Sequence, residues 1–379
     1  MMHNKLFKWC LSTLSLAMYS GLSLADYDVN IPPPKTVIAH QIYNLHLYIL
    51  IVCAVIFVIV FGWMFLALLK HRKSLGHKAE QFHENTTVEI IWTIIPFVIL
   101  VAMAIPATKT VLEMKDASNS DMTIKVTGYQ WKWEYDYQQD GVRFYSNLKT
   151  PHDQIGSPDV PATATKNPDY LLEVDNPMVV PAGKKVRLLI TANDVIHGWY
   201  VPQLGVNQYG IPGFIKDAWI NVDKPGTYKG QCSQICGKEH GFMPITVVAL
   251  NETDYKTWVG EQKAKLAANA EDPSKIWTLD ELKNKGQQVY TANCQACHQA
   301  TGLGIPGAFP ALSGSKIATG PKEGHIDIVL NGKAGTAMQA FGKQLSDTEI
   351  AAAVTYERNA WENKTGDAIQ PAEIKAARK

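Results

Sequence analysis

The sequence is poor in cysteine, with 6 in 379 residues. That excludes a disulfide-dense secreted scaffold. Cys10 and Cys53 lie in apolar segments, and the other four form two tight pairs, Cys232/Cys236 and Cys294/Cys297. Net charge is nearly absent too. Lys and Arg total 36 against 35 acids, a formal +1, so no basic footprint for nucleic acid is present. Charge is missing altogether from "LYILIVCAVIFVIVFGWMFLALL", residues 47–69. At 1.5 Å rise per residue this run reaches about 34 Å, enough to cross a bilayer core. The length allows two or three domains.

What is present begins with a second apolar run, "IIWTIIPFVILVAMAIPAT", residues 90–108. It is long enough for another crossing, and Pro96 is expected to bend it by removing a backbone hydrogen bond. A buried soluble helix is the alternative, weakened by the pairing with the first run. Between the two, "KHRKSLGHK" puts Lys70, Arg72, Lys73 and Lys78 in a short loop. Such a loop is expected in the cytoplasm, which leaves everything after about residue 112 on the outer side. Ahead of both, Lys5 and Lys8, an apolar stretch, and the small residues Ser23 and Ala25 read as a signal peptide over residues 1–25. An uncleaved anchor is the alternative there.

Residues 121–250 contain short β-branched runs punctuated by Pro and Gly, among them "TIKV", "KVRLLITA", "AWINVD" and "ITVVAL". Their spacing predicts a sandwich or Greek-key barrel. "GYQWKWEYDY" reads as one strand, with Tyr129, Trp131, Trp133, Tyr135 and Tyr137 on one face by period two. For most of these rings core packing is the expected role. Residues 251–276 read as a helix and linker. From residue 277 the pattern is helical, with capping boxes at Thr278/Glu281 and Ser346/Glu349. The last 14 residues read as a frayed tail.

"CQACH" supplies Cys294, Cys297 and His298. This is the spacing of c-type haem attachment, with two thiols for the vinyl groups and an imidazole for iron. Zinc would need two more ligands nearby, and a thioredoxin-like pair would need a βαβ setting that is absent. Met338, in "GTAMQAFG", is the candidate second axial ligand; His/Met ligation suits electron transfer and leaves no open position. His325 is the rival, but "PKEGHID" reads as a helix start with a surface histidine. The His298 ring needs a carbonyl to orient it, and the loop "GLGIPGAFPAL" can supply one.

"GQCSQICGKEHGFMP" holds Cys232, Cys236, His240 and Met243 within twelve positions. A Cys232–Cys236 disulfide suits an oxidising compartment but leaves His240 and Met243 without a role. Thiolate and thioether are soft ligands that favour copper. A single blue copper uses one cysteine, whereas two thiolates can bridge two copper ions with one histidine each. The second histidine is His197 in "NDVIHGWYVPQLG", and the backbone carbonyl of Gln234 completes the set. This is the pattern of a binuclear CuA centre.

With these residues together, the chain resembles the cytochrome c oxidase subunit II family over residues 37–250. The likeness rests on the helix hairpin, "EIIWTIIP", "GYQWKWEY", "DVIHGWYVP" and "CSQICGKEHGFMPI". Residues 277–365 resemble a class I cytochrome c domain through CxxCH, "FPALSGS" and the Met338 loop, where Gln339 stands in place of a frequent proline. The combination resembles the caa-type bacterial branch.

The resemblance implies a multidomain membrane protein: signal peptide 1–25, two-helix transmembrane hairpin 26–111, all-β cupredoxin domain 112–251, linker helix 252–276, all-α class I cytochrome c domain 277–365 and tail 366–379. It implies electron flow from a cytochrome c or other periplasmic donor to haem c, then to CuA, then to haem a of subunit I. Oxygen is there reduced to water with proton pumping. Subunit III is a further implied partner and a bacterial inner membrane the location. Trp131 matches the ring through which electrons reach CuA. Glu89 matches the glutamate at the mouth of the K proton pathway, with a helix-N-terminal acid as the alternative. Gln234 replaces a family glutamate, keeping the copper-binding carbonyl and losing the carboxylate that reaches magnesium.

Other readings separate cleanly. A CuA subunit of a nitric oxide reductase differs only in its partner. A membrane-anchored copper-trafficking protein would need no CxxCH domain. Quinol oxidase subunit II lacks these copper ligands, and nitrous oxide reductase lacks the hairpin. Neither metal site has an open position, so oxygen reduction is not expected in this chain.

Overall fold

The computed structural model describes residues 30–76, 83–150, 154–155, 169–268 and 275–378. The expected signal peptide and Lys78 lie outside them. Two long helices come first, α1 (Val37–Lys70) and α2 (Thr86–Lys115). Each starts on a side-chain cap: Thr36 accepts from the Ala39 amide and Asn85 from the Val88 amide. Helix α2 runs on through both Pro96 and Pro106. Phe57, Val58, Ile59, Phe97 and Leu100 are among many apolar side chains that stand exposed on the pair. A surface this apolar is stable against lipid or a partner helix and not against water.

The β domain has two five-stranded sheets. Its strands are β1 (Met122–Tyr129), β2 (Lys132–Tyr137), β3 (Val142–Ser146), β4 (Met178–Pro181), β5 (Lys185–Ala192), β6 (His197–Val201), β7 (Val206–Gly210), β8 (Lys216–Asn221), β9 (Gly226–Cys232) and β10 (Ile245–Leu250). One sheet runs β3-β2-β1-β5-β8 and the other β4-β10-β9-β6-β7. Alternation of apolar and polar residues sends Ile124, Val126, Leu188 and Ile190 inward to meet Trp199, Tyr228 and Val247 from the facing sheet.

The aromatic stretch is two strands rather than one. Pairing of Tyr129 with Lys132 closes a hairpin, and Gln130 and Trp131 form its turn. Period two continues across this turn, so the pattern alone does not reveal the break. Trp133, Tyr135 and Tyr137 are fully buried as expected. Trp131, in the turn, is only partly buried but still packs against this core.

After β10, helix α3 (Glu252–Ala268) lays Tyr255, Trp258 and Val259 back on the β core, with Trp258 5.2 Å from the Tyr137 ring. The C-terminal region is helical: α4 (Leu279–Asn293), α5 (Gln295–His298), α6 (Lys316–Thr319), α7 (Lys322–Asn331), α8 (Asp347–Asn359) and α9 (Pro371–Ala377). Both predicted capping boxes open helices, at α4 and α8. These two helices cross so closely that a Cβ on Gly286 would lie 2.1 Å from the Ala352 carbonyl oxygen. The end of the chain is not frayed. Ile369 and Ile374 are buried in the cytochrome-domain core and Arg378 donates to the Leu345 carbonyl at 2.8 Å.

Candidate functional site

Strand β9 ends on Cys232, and the loop that follows carries Cys236, His240 and Met243 before β10 begins. Strand β6 opens on His197 and lies beside β9, with Trp199 opposite Cys232. The two sulfurs are 3.9 Å apart, with no disulfide between them. Cys236 Sγ is 3.5 Å from His240 Nδ1 and 3.5 Å from Met243 Sδ. Cys232 Sγ is 3.3 Å from the Gln234 carbonyl oxygen. His197, Cys232 and Cys236 each bring a donor atom within 4.8 Å of the others, and among the described residues they are the one such His/Cys/Asp/Glu group.

The site is pre-shaped by neighbours. His197 Nε2 donates to Asp194 Oδ1 at 2.8 Å, while its buried Nδ1 has no hydrogen-bond partner. That orphaned atom in a fully buried ring fits a metal ligand. The Trp133 indole donates to the Met243 carbonyl at 3.2 Å. The Trp131 indole and the Gln130 side-chain amide both donate to the Cys236 carbonyl, at 3.2 and 2.8 Å. The two thiols act as a pair: hydrogen bonding from Cys236 holds the Cys232 pKa far down, and the same contact pushes Cys236 up. Soft sulfur donors, two imidazoles and a thioether on one point fit copper.

The second site is a cavity of about 1060 Å³ lined by Cys294, Cys297, His298 and Met338 among others. The CxxCH cysteines follow α4, and His298 Nδ1 donates to the Pro310 carbonyl at 2.9 Å, leaving Nε2 as the ligand atom. Pro310 thus supplies the expected orienting carbonyl. Met338 comes to the same cavity from forty residues downstream. Burial pushes the Cys294 thiol well up and Cys297 to about 11. The residues and the space fit a covalently held haem.

His325 departs from the expected surface position. It is 2% exposed on α7, lines the haem-sized cavity, and pairs through Nε2 with Glu357 Oε2 at 2.7 Å. The polar run around it conceals this, because the burying partner comes from α8. Asp194 and Gly128 also carry no sequence motif. A Cβ on Gly128 would meet the His197 ring at 2.8 Å, so glycine is what lets that ring sit beside β1. Asp194, three residues before His197, offers a spacing signal only once the histidine is singled out. Glu89 is exposed in the first turn of α2 and accepts from the Asn85 amide at 3.3 Å.

Three family models match along the chain. Residues 25–110 match the transmembrane domain of cytochrome c oxidase subunit II, 122–250 its periplasmic domain, and 281–356 subunit III of cbb3-type cytochrome c oxidase. A probable cytochrome c oxidase subunit 2 of Rickettsia bellii is 34% identical over 268 residues, 69% of this chain and 95% of that one. The chain belongs to the cytochrome c oxidase subunit II family. A cytochrome c oxidase subunit 2 of Alkalihalophilus pseudofirmus is 28% identical over 362 residues, 91% of this chain and 94% of its own length. The crystal structure of the periplasmic domain of subunit II of cytochrome oxidase from Bradyrhizobium japonicum is 37% identical. That match covers 39% of this chain and 98% of the other, with a TM-score of 0.34.

This subunit II is therefore the electron-transfer subunit of a haem-copper oxidase, with a fused cytochrome c domain. It is a membrane protein with two transmembrane helices and a periplasmic domain. The β domain is of the CuA type with a His/Cys metal site, and the cytochrome domain implies haem c.

Proposed function

We propose that this subunit II holds two copper ions on His197, Cys232, Cys236, His240, Met243 and the Gln234 carbonyl. One haem is attached through Cys294 and Cys297, with His298 and Met338 as axial ligands. When bound, each group supplies a one-electron couple. The chain takes electrons from a cytochrome c or another periplasmic donor and delivers them to haem a of subunit I, where oxygen is reduced to water with proton pumping. Subunits I and III are its membrane partners, in a bacterial inner membrane with the β and cytochrome domains on the outer face.

The observation that carries this reading is a pair of sulfurs 3.9 Å apart with four further donors around it, from His197, Gln234, His240 and Met243. A single blue copper uses one cysteine and would leave the other thiol without a metal. Asp194 orients His197, Trp133 fixes Met243, and burial keeps water from Cys232, Cys236 and Met243. Such a fixed ligand set needs little rearrangement on gaining or losing an electron. Trp131, hydrogen-bonded to the Cys236 carbonyl, is the residue assigned to electron input. Glu89 is assigned to the proton pathway on the family resemblance, supported by its exposure where α2 begins. The domain limits 26–111, 112–251 and 252–276 belong to the same proposal, and the cytochrome domain, expected over 277–365, is extended by the segment carrying Ile369 and Ile374.

The test is metal content and the electron paramagnetic resonance spectrum of the purified full chain. Two coppers per haem, with hyperfine structure from one electron shared by both coppers, are expected. A single-ion copper spectrum, or zinc with a Cys232–Cys236 disulfide, would overturn the assignment.

A further inference from the structure

The haem-sized cavity is not walled by the cytochrome domain alone. Trp131, Lys132 and Glu239 of the β domain line it together with Cys297, His298 and Met338. Three polar contacts hold the two domains together around it. Gln339 Nε2 donates to the Gln130 carbonyl at 3.1 Å. Lys132 Nζ donates to Asn293 Oδ1 at 2.6 Å. Lys238 Nζ donates to the Ala296 carbonyl at 3.4 Å.

The places of these residues in the chain matter more than their number. On the cytochrome side, Gln339 follows Met338, Asn293 precedes Cys294, and Ala296 precedes Cys297. On the β side, Gln130 and Lys132 flank Trp131, and Lys238 lies between Cys236 and His240. Every contact therefore ties a haem-holding segment to the copper loop or to the turn that touches it. Trp131 lies between, with its indole on the Cys236 carbonyl.

Lys132 makes the interface specific. Its side chain is 4% exposed, with the Tyr145 ring 4.5 Å from Nζ and Asn293 as acceptor. A buried amine requires such a partner, and a mismatched surface would leave it without one. Burial pushes its pKa down to about 8. Gln339 is held in turn by Gln344, whose amide donates to Gln339 Oε1 at 3.0 Å. Proline at position 339 would have no donor to offer Gln130.

We propose that Gln339 and Lys132 are positioning residues that dock the haem crevice onto Trp131. The occupant of the electron-input face beside the copper loop is then this chain's own cytochrome domain, and a soluble donor must use another face of that domain. This rests on the metal assignment made under Proposed function. A net side-chain hydrogen bond shifts a docking equilibrium by on the order of fivefold, so two lost together give more than tenfold.

The test uses the full chain and the double variant Lys132→Met, Gln339→Glu. Methionine keeps the apolar stem, and glutamate keeps the acceptor for Gln344 while losing the donor to Gln130. After flash reduction of the haem, transfer to copper is expected to slow at least tenfold, with the haem absorption that reports Met338 ligation unchanged. Hydrogen exchange on the same chains is expected to rise together in residues 129–133 and 336–341. Unchanged transfer and exchange would overturn the proposal. So would slower transfer accompanied by loss of the haem absorption that reports Met338 ligation, since Gln339 would then act on that ligand. If the native chain lacks the copper-pair spectrum, the metal assignment fails, and the exchange comparison still decides docking.

Discussion

Asp194 grips His197 with one carboxylate oxygen and the Gln130 backbone amide with the other, each at 2.8 Å. One carboxylate thus sets both the proposed copper ligand His197 and the turn that carries Trp131. Outer partners of metal-bound histidines are worth about 10–100-fold in metal affinity. Asp194→Ala is expected to weaken copper retention by that range while the protein still folds. Competition with a copper chelator, with circular dichroism as the folding control, measures it. Copper retention equal to that of the native chain would remove Asp194 from the site.

Gly128→Ala probes the same histidine from behind. The added methyl meets the ring at 2.8 Å and must push His197 or strand β1 aside. Overpacking of this kind costs about 1–3 kcal/mol. Loss of the copper-pair spectrum is expected, together with a lowered melting temperature. Gln234→Ala is the contrasting variant: only its carbonyl faces Cys232, so copper loading should be unchanged.

Met338→His tests the second iron ligand proposed for the haem. A thioether ligand raises a haem potential relative to a second imidazole. The variant should show a midpoint potential lower by a sizeable part of the ~0.8 V that axial ligands span. Redox titration of the haem absorption reads this directly. An unchanged potential would mean that Met338 does not bind the iron.

The α4 capping box gives a pH prediction. The Thr278 backbone amide first, and then Lys275 and Thr278 side chains, hold the Glu281 carboxyl at about 2, below its ordinary 4.5. The folded state therefore binds its proton less readily than the unfolded chain. The stabilisation is fully present above about pH 4.5 and is lost as pH falls through 2. Comparing melting of the cytochrome domain in native and Glu281→Gln chains should show a gap at neutral pH that closes toward pH 2. A gap independent of pH would refute the capping role of the carboxylate.

The residues proposed to hold copper stood out in the sequence because four side chains and one carbonyl share a twelve-residue loop, and the structure brings their donor atoms together. The haem motif was legible for the same reason. What stayed hidden depends on contacts between distant segments. His325 sits in a polar run, and its burial comes from Glu357, thirty-two residues on. The tail looked polar, yet Ile369 and Ile374 are enough to dock it. The break at Gln130–Trp131 was masked because the strands on both sides keep one alternation. Gly128 and Asp194 have no signature at all until the ring of His197 is placed between them.

The outer ends of the two long helices are tied straight into the β domain. The Thr36 hydroxyl donates to the Leu204 carbonyl at 2.9 Å, Thr36 bridges Val222, and the Trp219 indole donates to the Glu113 carbonyl at 3.0 Å. With no slack at either junction, hairpin and β domain behave as a single lever. A bilayer whose thickness changes the tilt of the helices would swing the copper loop sideways by an amount that grows with its height above the lipid.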